Sequence, residues 1–189
     1  MINAEIAENL VRTATMAALE SPARLSDALD ALPAPIYVTD RNGCVTHFNR
    51  ACVDFAGRTP QPGHDRWCVT WKLFTVDGEA LAHEDCPMAV AVKEQRRVRG
   101  AEALAERPDG SRVRFIPFPT PLFDAHGEFA GAVNLVMDVT DSRRAEDLKT
   151  QAVRCRRLAS SIGDHQVGGT LRAMADEYEA EAELLQVLN

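Results

Sequence analysis

The sequence predicts an α+β protein, with strands joined by tight turns in the middle of the chain and helices at both ends. Three observations predict it. Residues 131–141 alternate as a strand does, with Val133, Leu135 and Met137 on one face and Asn134, Val136 and Asp138 on the other, then run directly into a helical segment. Residues 36–48 read strand, turn, strand around Asn42-Gly43, a pair that tolerates the positive φ of hairpin turns. The two ends of the chain repeat apolar residues at three- and four-residue spacing.

Composition narrows the class. The 189 residues are 46% apolar, enough for one core with extensions. A net charge of −7 argues against broad nucleic-acid binding. Five cysteines without paired spacing point to a reducing compartment rather than a disulfide scaffold. No apolar run approaches the roughly 20 residues that cross a bilayer, and Glu5 and Glu8 stand where a signal peptide would be basic. A soluble cytoplasmic protein is expected.

From residue 3 to 19 the pattern is helical, with Ile6, Leu10, Ala14 and Ala17 on one face. That stripe suits either packing on its own domain or a dimer seam. Ser21-Pro22 restarts a helix whose apolar edge is Leu25, Leu29 and Leu32, and Pro33 and Pro35 stop it. After the 36–48 hairpin, Asn49 can cap a short helix, Arg50 to Ala56, which Gly57 ends. Trp67 to Phe74 is rich in aromatics, and Asp77-Gly78 is a turn. Pro87 opens a helix from Met88 to Gln95. Strands are predicted at 98–107 and 111–122. Pro117, Pro119 and Pro121 in the second mark an edge or a bulged exit, because alternate prolines cannot donate ladder hydrogen bonds.

The order of these motifs resembles a PAS domain. The residues that carry the resemblance are the hairpin followed by Asn49-Arg50-Ala51 and the helix to Gly57, the Glu106–Ser111 turn, the Pro121–Gly127 loop, and the closing Asp138-Val139-Thr140-Asp141. Trp67-Cys68 and Cys86-Pro87-Met88-Ala89 resemble PAS modules of alphaproteobacterial sensor kinases. The resemblance implies a five-stranded antiparallel sheet, order 2-1-5-4-3, with short helices over one face. It divides the chain into an N-terminal flanking helix (1–24), a PAS domain (25–141) and a C-terminal helical hairpin (142–189). In the hairpin, a basic helix (142–162) carries Ala145, Leu148, Ala152, Cys155, Leu158 or Ala159, and Ile162. An acidic one (about 165–187) carries Leu171, Met174, Tyr178, Ala182 and Leu185. The two are expected to pair antiparallel through their charges and, by their narrow stripes, to meet a second copy as a coiled-coil homodimer.

The chemistry on offer is sparse. No phosphate loop, nucleophile elbow or repeated acid–base pair occurs, so no enzymatic activity is expected. His64, Cys68, His83 and Cys86 form a His-x3-Cys and His-x2-Cys pattern. The preferred reading is that both cysteines pack a loop on the sheet. Zinc or a redox-sensitive pair comes next, and haem, through Cys86-Pro87, last. The helix expected to carry a haem-ligating histidine has none, and the flavin-reactive Asn-Cys motif is absent. The resemblance implies a ligand pocket lined by Tyr37, Phe55, Trp71, Val92, Phe115, Asn134 and Val136, or a core that these residues fill; no obligatory cofactor is expected. Asp138, Thr140 and Asp141 are the expected relay into the C-terminal helices. The expected function is sensory signal transduction by a homodimer that relays a ligand, redox or partner signal to those helices and on to a downstream signalling protein. A purely structural dimerisation module and a DNA-associated regulator using residues 143–157 are the alternatives.

Overall fold

The chain, seen in a computed structural model, is described for residues 4–20 and 24–187. The cap expected at Ser21-Pro22 lies outside the described residues. Two compact units divide between Asp138 and Val139. In the first, helices α1 (Ala4–Glu20) and α2 (Leu25–Asp30) precede strands β1 (Ile36–Asp40) and β2 (Val45–Phe48). Helix α3 (Arg50–Ala56), strands β3 (Lys72–Phe74) and β4 (Ala80–Leu81), a 3-10 turn (His83–Asp85) and helix α4 (Pro87–Glu94) follow. Strands β5 (Ala103–Glu106), β6 (Arg112–Phe123) and β7 (Phe129–Asp138) complete the unit.

The sheet is antiparallel, with the order β2-β1-β7-β6-β5-β3-β4. It therefore has seven strands, and the expected five-stranded order 2-1-5-4-3 is corrected. The added strands are the β3–β4 hairpin, which pairs against β5 through Lys72–Phe74. Strands of three and two residues are too short to leave a readable alternation.

Helices cover both faces rather than one, a second correction. Tyr37, Phe115, Ala132 and Val136 pack with Cys52 and Phe55 of α3 and Met88, Ala89 and Val92 of α4. Ile36, Val38, Val133 and Leu135 pack on the other face with Ala7, Val11 and Ala14 of α1 and Leu25 and Leu29 of α2. This is why β7 is buried on both sides along residues 131–136. The buried stripe of α1 is rotated from the one expected. Ile6 is 42% exposed while Ala7 and Val11 are buried, because small side chains let the helix lie close to the sheet.

Two local devices set the positions of these elements. Gly43 closes the β1–β2 turn: its N–H donates to Asp40 O at 3.0 Å, and Asp40 Oδ1 accepts from the N–H groups of Asn42 and Cys44. Its φ of 81° is open to glycine, and a Cβ there would lie 2.1 Å from the Trp67 ring. Asn49 caps α3 by accepting from Cys52 N–H at 3.3 Å, as its position predicts. It does more: the same oxygen accepts from Ile36 N–H at 3.0 Å, and Nδ2 donates to Leu29 O (3.1 Å) and Ala34 O (2.8 Å). One buried side chain thus ties α2, the start of β1 and α3 together.

The prolines of β6 are explained by its pairing. β5 pairs only with Arg112 to Phe115 of β6, so from Ile116 onward β6 has β7 on one side and no strand on the other. Pro119 turns its carbonyl to that open side, where it accepts from Val98 N–H and Arg99 Nη1. A register shift at Leu122/Phe123 ends the ladder.

The second unit is a helical hairpin, α5 (Thr140–Ser161) and α6 (His165–Val187). Its seam is made of small residues at seven-residue spacing: Ala145, Ala152 and Ala159 from α5 and Gly168, Ala175 and Ala182 from α6, all buried. Gly168 comes so close that a Cβ added to it would meet the Ala159 carbonyl at 3.5 Å. The larger residues of the expected stripes sit outward, Leu158 at 46% and Met174 at 38% exposure. The charges do pair across the hairpin: Arg144 with Glu181 at 2.6 Å, and Arg156 with Asp176 at 2.8 Å and with Glu179. These pairs are exposed and set register more than stability.

Candidate functional site

The candidate site grows from one buried tyrosine. Tyr37 points from β1 into the face covered by α3 and α4 and is fully buried. Its hydroxyl donates to the Trp67 carbonyl at 3.0 Å and accepts from Asn134 Nδ2 at 3.0 Å. Asn134, on β7, in turn accepts from Phe118 N–H of β6 at 2.9 Å. Cys68 and Cys86 belong to the same buried cluster as the tyrosine. Burial holds the phenol well above its ordinary value near 10, and the neighbouring Cys68 and Cys86 push it the same way, so it stays neutral. A buried phenol and a buried amide satisfy each other here, and neither would be tolerated in this core alone.

The loop that supplies Trp67 and Cys68 has no regular structure, yet it is tied down along its length. Arg58 forms an ion pair with Asp65 at 2.5 Å and reaches Val69 O at 3.3 Å. The Asp65 carbonyl accepts from Val45 N–H, and Trp67 N–H donates to Gly43 O. Trp67 takes a positive φ of 69°, which a bulky residue adopts only when its surroundings demand it. Here the demand comes from Gly43 beneath the ring and from the Arg66 guanidinium 4.5 Å from the ring centroid.

Beyond the loop opens a cleft of about 420 Å³ lined by His64, Trp67, Cys68, Thr70, His83 and Glu84, among others. Cys68 is 8% exposed on this cleft. Thr70 Oγ1 lies 3.1 Å from Cys68 Sγ and 3.5 Å from His83 Nε2. Burial, and next the charge of Arg58, hold His83 below its ordinary 6.5 against the opposing pull of Asp65, so its imidazole is neutral at pH 7. Polar atoms thus lead from His83 through Thr70 to Cys68, and the carbonyl of the adjacent Trp67 ties the same loop to Tyr37 and Asn134. Thr70 was not singled out in the sequence. The Cys68-x-Thr70 spacing, which puts two side chains on one side of an extended chain, was the available signal.

The expected four-residue set is only partly assembled. His64, Cys68 and His83 line the cleft and Cys86 does not, although Cys68 and Cys86 belong to one buried cluster. Cys86 caps α4, its sulfur accepting from Ala89 N–H at 3.5 Å. Burial, with Cys68 second, pushes its thiol up to about 12. All five cysteines are free thiols. Among the described residues no three His, Cys, Asp or Glu side chains converge as metal ligands, so the set does not fit zinc. A sulfur engaged as a buried helix cap does not fit haem ligation either.

Of the expected pocket residues, Tyr37, Phe55, Val92, Phe115 and Val136 meet in one packed cluster, with Phe55 and Phe115 edge to face at 5.4 Å. Asn134 joins through Tyr37. Trp71 does not, and this is a correction: it sits in a bend before β3, is 54% exposed and lines a separate open cleft with Phe74 and Leu81. Trp67 takes the buried aromatic place instead.

The expected relay residues lie at the boundary of the two units. Asp138 is the last residue of β7, paired in register with Phe115. α5 begins at Thr140, two residues earlier than expected, so Val139 holds the cap position without a side-chain cap bond. Thr140 and Asp141 are first-turn residues, where the Asp141 carboxylate suits the positive end of the helix dipole.

Among the described residues no helix is long and apolar enough to cross a membrane. No curated protein matches the chain. Among solved structures, the LOV protein of Rhodobacter sphaeroides is similar over 88% of this chain and 95% of its own, at 12% identity and a TM-score of 0.49. The PAS domain of Bordetella pertussis BvgS is similar over 69% of this chain and 99% of its own, at 20% identity and a TM-score of 0.42. The PAS domain of an HTR-like protein from Haloarcula marismortui covers 63% and 92%, at 20% identity and a TM-score of 0.41. The family model described as the PAS fold matches residues 29–144, more than half of the sequence. The chain belongs to the PAS domain family, whose members are sensory signalling modules.

Proposed function

We propose that this protein is a sensory signal-transduction homodimer in which a ligand, redox or partner signal arising in the PAS core is relayed to the C-terminal helices. One observation carries the reading. The loop that lines the Cys68–His83 cleft holds Tyr37 through the Trp67 carbonyl, and Tyr37 bonds Asn134, in the strand that Val139 alone separates from α5. A change in the cleft that shifts Tyr37 must break or move a bond to β7. The homodimer is supported by the outward residues of the hairpin: Leu148, Cys155, Leu171, Tyr178 and Leu185 are only half-buried, and Ile162 is 39% exposed.

A second reading has its own support. The expected pocket residues form a packed cluster, as they would in a module that only mediates dimerisation. The DNA-regulator alternative loses ground, since Arg144 and Arg156 from its basic stretch are engaged by acidic residues of α6. The discriminating experiment perturbs the joint. Asp138→Ala and Thr140→Ala leave the core folded and change amide hydrogen exchange across residues 140–161 under the relay reading. Unchanged exchange in both variants leaves the structural module.

A further inference from the structure

The cleft is bordered by one core cysteine, Cys68, whose thiol meets a side-chain hydroxyl rather than capping a helix or donating to a main-chain carbonyl. Three cysteines lie in the sheet unit's core region, and two have structural work. Cys86 caps α4, and Cys52 donates its thiol hydrogen to Ile36 O at 3.2 Å. Both thiols are pushed up to about 12, chiefly by burial, and remain protonated. Cys68 alone of the three borders an opening, and it does so beside a hydroxyl and an imidazole in series.

We propose that Cys68 is a modification site, oxidised by a small hydroperoxide with His83 taking the thiol proton through Thr70. In this arrangement Cys68 Sγ–H donates to Thr70 Oγ1 and the Thr70 hydroxyl donates to His83 Nε2. Proton transfer along the two bonds leaves a thiolate and a protonated imidazole. The thiolate attacks the terminal oxygen of the hydroperoxide. An S–O bond forms, the O–O bond breaks, and the departing alkoxide or hydroxide takes the proton from His83. The products are Cys68 sulfenic acid and an alcohol or water. Sulfur loses two electrons and the peroxide oxygens gain them, so no further reactant is needed.

The reagent class follows from access. Cys68, 8% exposed as a residue, borders a cleft lined by His64, Asp65, Arg66 and Glu84. A reagent must be small and tolerate polar walls, which suits a hydroperoxide and excludes bulky electrophiles. Arg58, bonded to Val69 O and held by Asp65, fixes the loop on which Cys68 sits. The consequence is also local. The oxygen added to Sγ must be accommodated beside Thr70, in the loop whose Trp67 carbonyl accepts from Tyr37, so it disturbs the bond that holds the tyrosine against Asn134. This last step rests on the relay proposed above; the modification itself does not.

The test uses the full-length reduced protein, hydrogen peroxide and dimedone, with adducts mapped at all five cysteines by mass spectrometry. Cys68 labels ahead of the more open Cys44 and Cys155. In Thr70→Val, which keeps the side-chain shape but removes the hydroxyl, labelling at Cys68 falls by about a hundredfold, the low end of a positioned general base. Thr70→Ser restores it. Label at Cys44 or Cys155 before Cys68 in the unaltered protein, or a Thr70→Val rate equal to that of the parent, overturns the proposal. Hydrogen exchange across α5 on the same samples separates the two readings. Label at Cys68 with α5 unchanged keeps the modification site and removes the relay.

Discussion

Removing the side chain of Asn49 tests the buried clamp that positions the start of the sheet. Asn49 is 1% exposed, and Asn49→Ala deletes the hydrogen bonds its oxygen accepts from Ile36 and Cys52 and those its amide donates to Leu29, Leu32 and Ala34. Loss of a helix cap alone costs about 1 kcal/mol. Each buried main-chain group left without a partner costs about 1–3 kcal/mol, though the Leu29 and Ala34 carbonyls retain a second lone pair. The sum expected is about 3 kcal/mol, a sizeable part of the roughly 5–15 kcal/mol of a typical domain. With a urea slope of about 2 kcal/mol per molar, the midpoint falls by about 1.5 M. Tryptophan fluorescence is the assay, because Trp67 and Trp71 both lie in the sheet unit. Asn49→Asp sharpens it: the acceptor oxygen stays, but an oxygen replaces Nδ2 facing the carbonyls of Leu29 and Ala34. It should lose at least as much as Asn49→Ala. A loss below about 1 kcal/mol in both variants would mean that Asn49 is only a cap and that the clamp contributes nothing.

Three further outcomes follow from the same geometry. Gly43→Ala should destabilise the sheet unit by about 2–4 kcal/mol and shift the Trp67 emission, since the new Cβ meets the ring at 2.1 Å in a left-handed backbone; an unchanged spectrum and melting point refute it. Ala152→Leu should force α5 and α6 apart at their small-residue seam, costing about 1–3 kcal/mol and speeding hydrogen exchange in both helices while leaving the sheet unit intact; equal exchange contradicts it. His83 has a folded-state value depressed below 6.5, chiefly by burial, so the unfolded chain binds its proton first and stability falls as pH drops below about 6.5. His83→Gln should flatten that part of the stability–pH curve between pH 7 and 5, and an unaltered slope rejects the assignment.

Much of the fold could be read from residues whose chemistry acts locally. Asn42-Gly43, Asn49 and Gly57 each do in the structure what their position in sequence predicts, because a positive φ or a cap is decided within a few residues. The alternation of residues 131–136 identified β7. What escaped depends on contacts across the chain. Asn49 reads as a cap, but its donors serve carbonyls 15 and 20 residues away. Trp71 and Trp67 exchanged places because Trp67 adopts a left-handed conformation that no local propensity favours. The large residues of the hairpin predict one stripe, whereas the seam is alanine and glycine, which bury completely only when two helices approach closely. At the candidate site His64, Cys68 and His83 were found by their chemistry. Thr70, a residue of ordinary type, acquires its part only from the fold that sets it between a thiol and an imidazole.

The central claim is that the core thread and the C-terminal helices are coupled through β7, and Tyr37→Phe tests it most directly. The substitution keeps the ring that fills the core and removes the hydroxyl shared by Trp67 and Asn134. It leaves Asn134 Nδ2 without its partner at a cost of about 1–2 kcal/mol, too little to unfold the unit. Amide hydrogen exchange, resolved by peptide, is measured in β7 and across α5 in the parent and the variant. The coupled account predicts altered protection in both, at residues 129–138 and 140–161. Altered protection in β7 with α5 unchanged would contradict it.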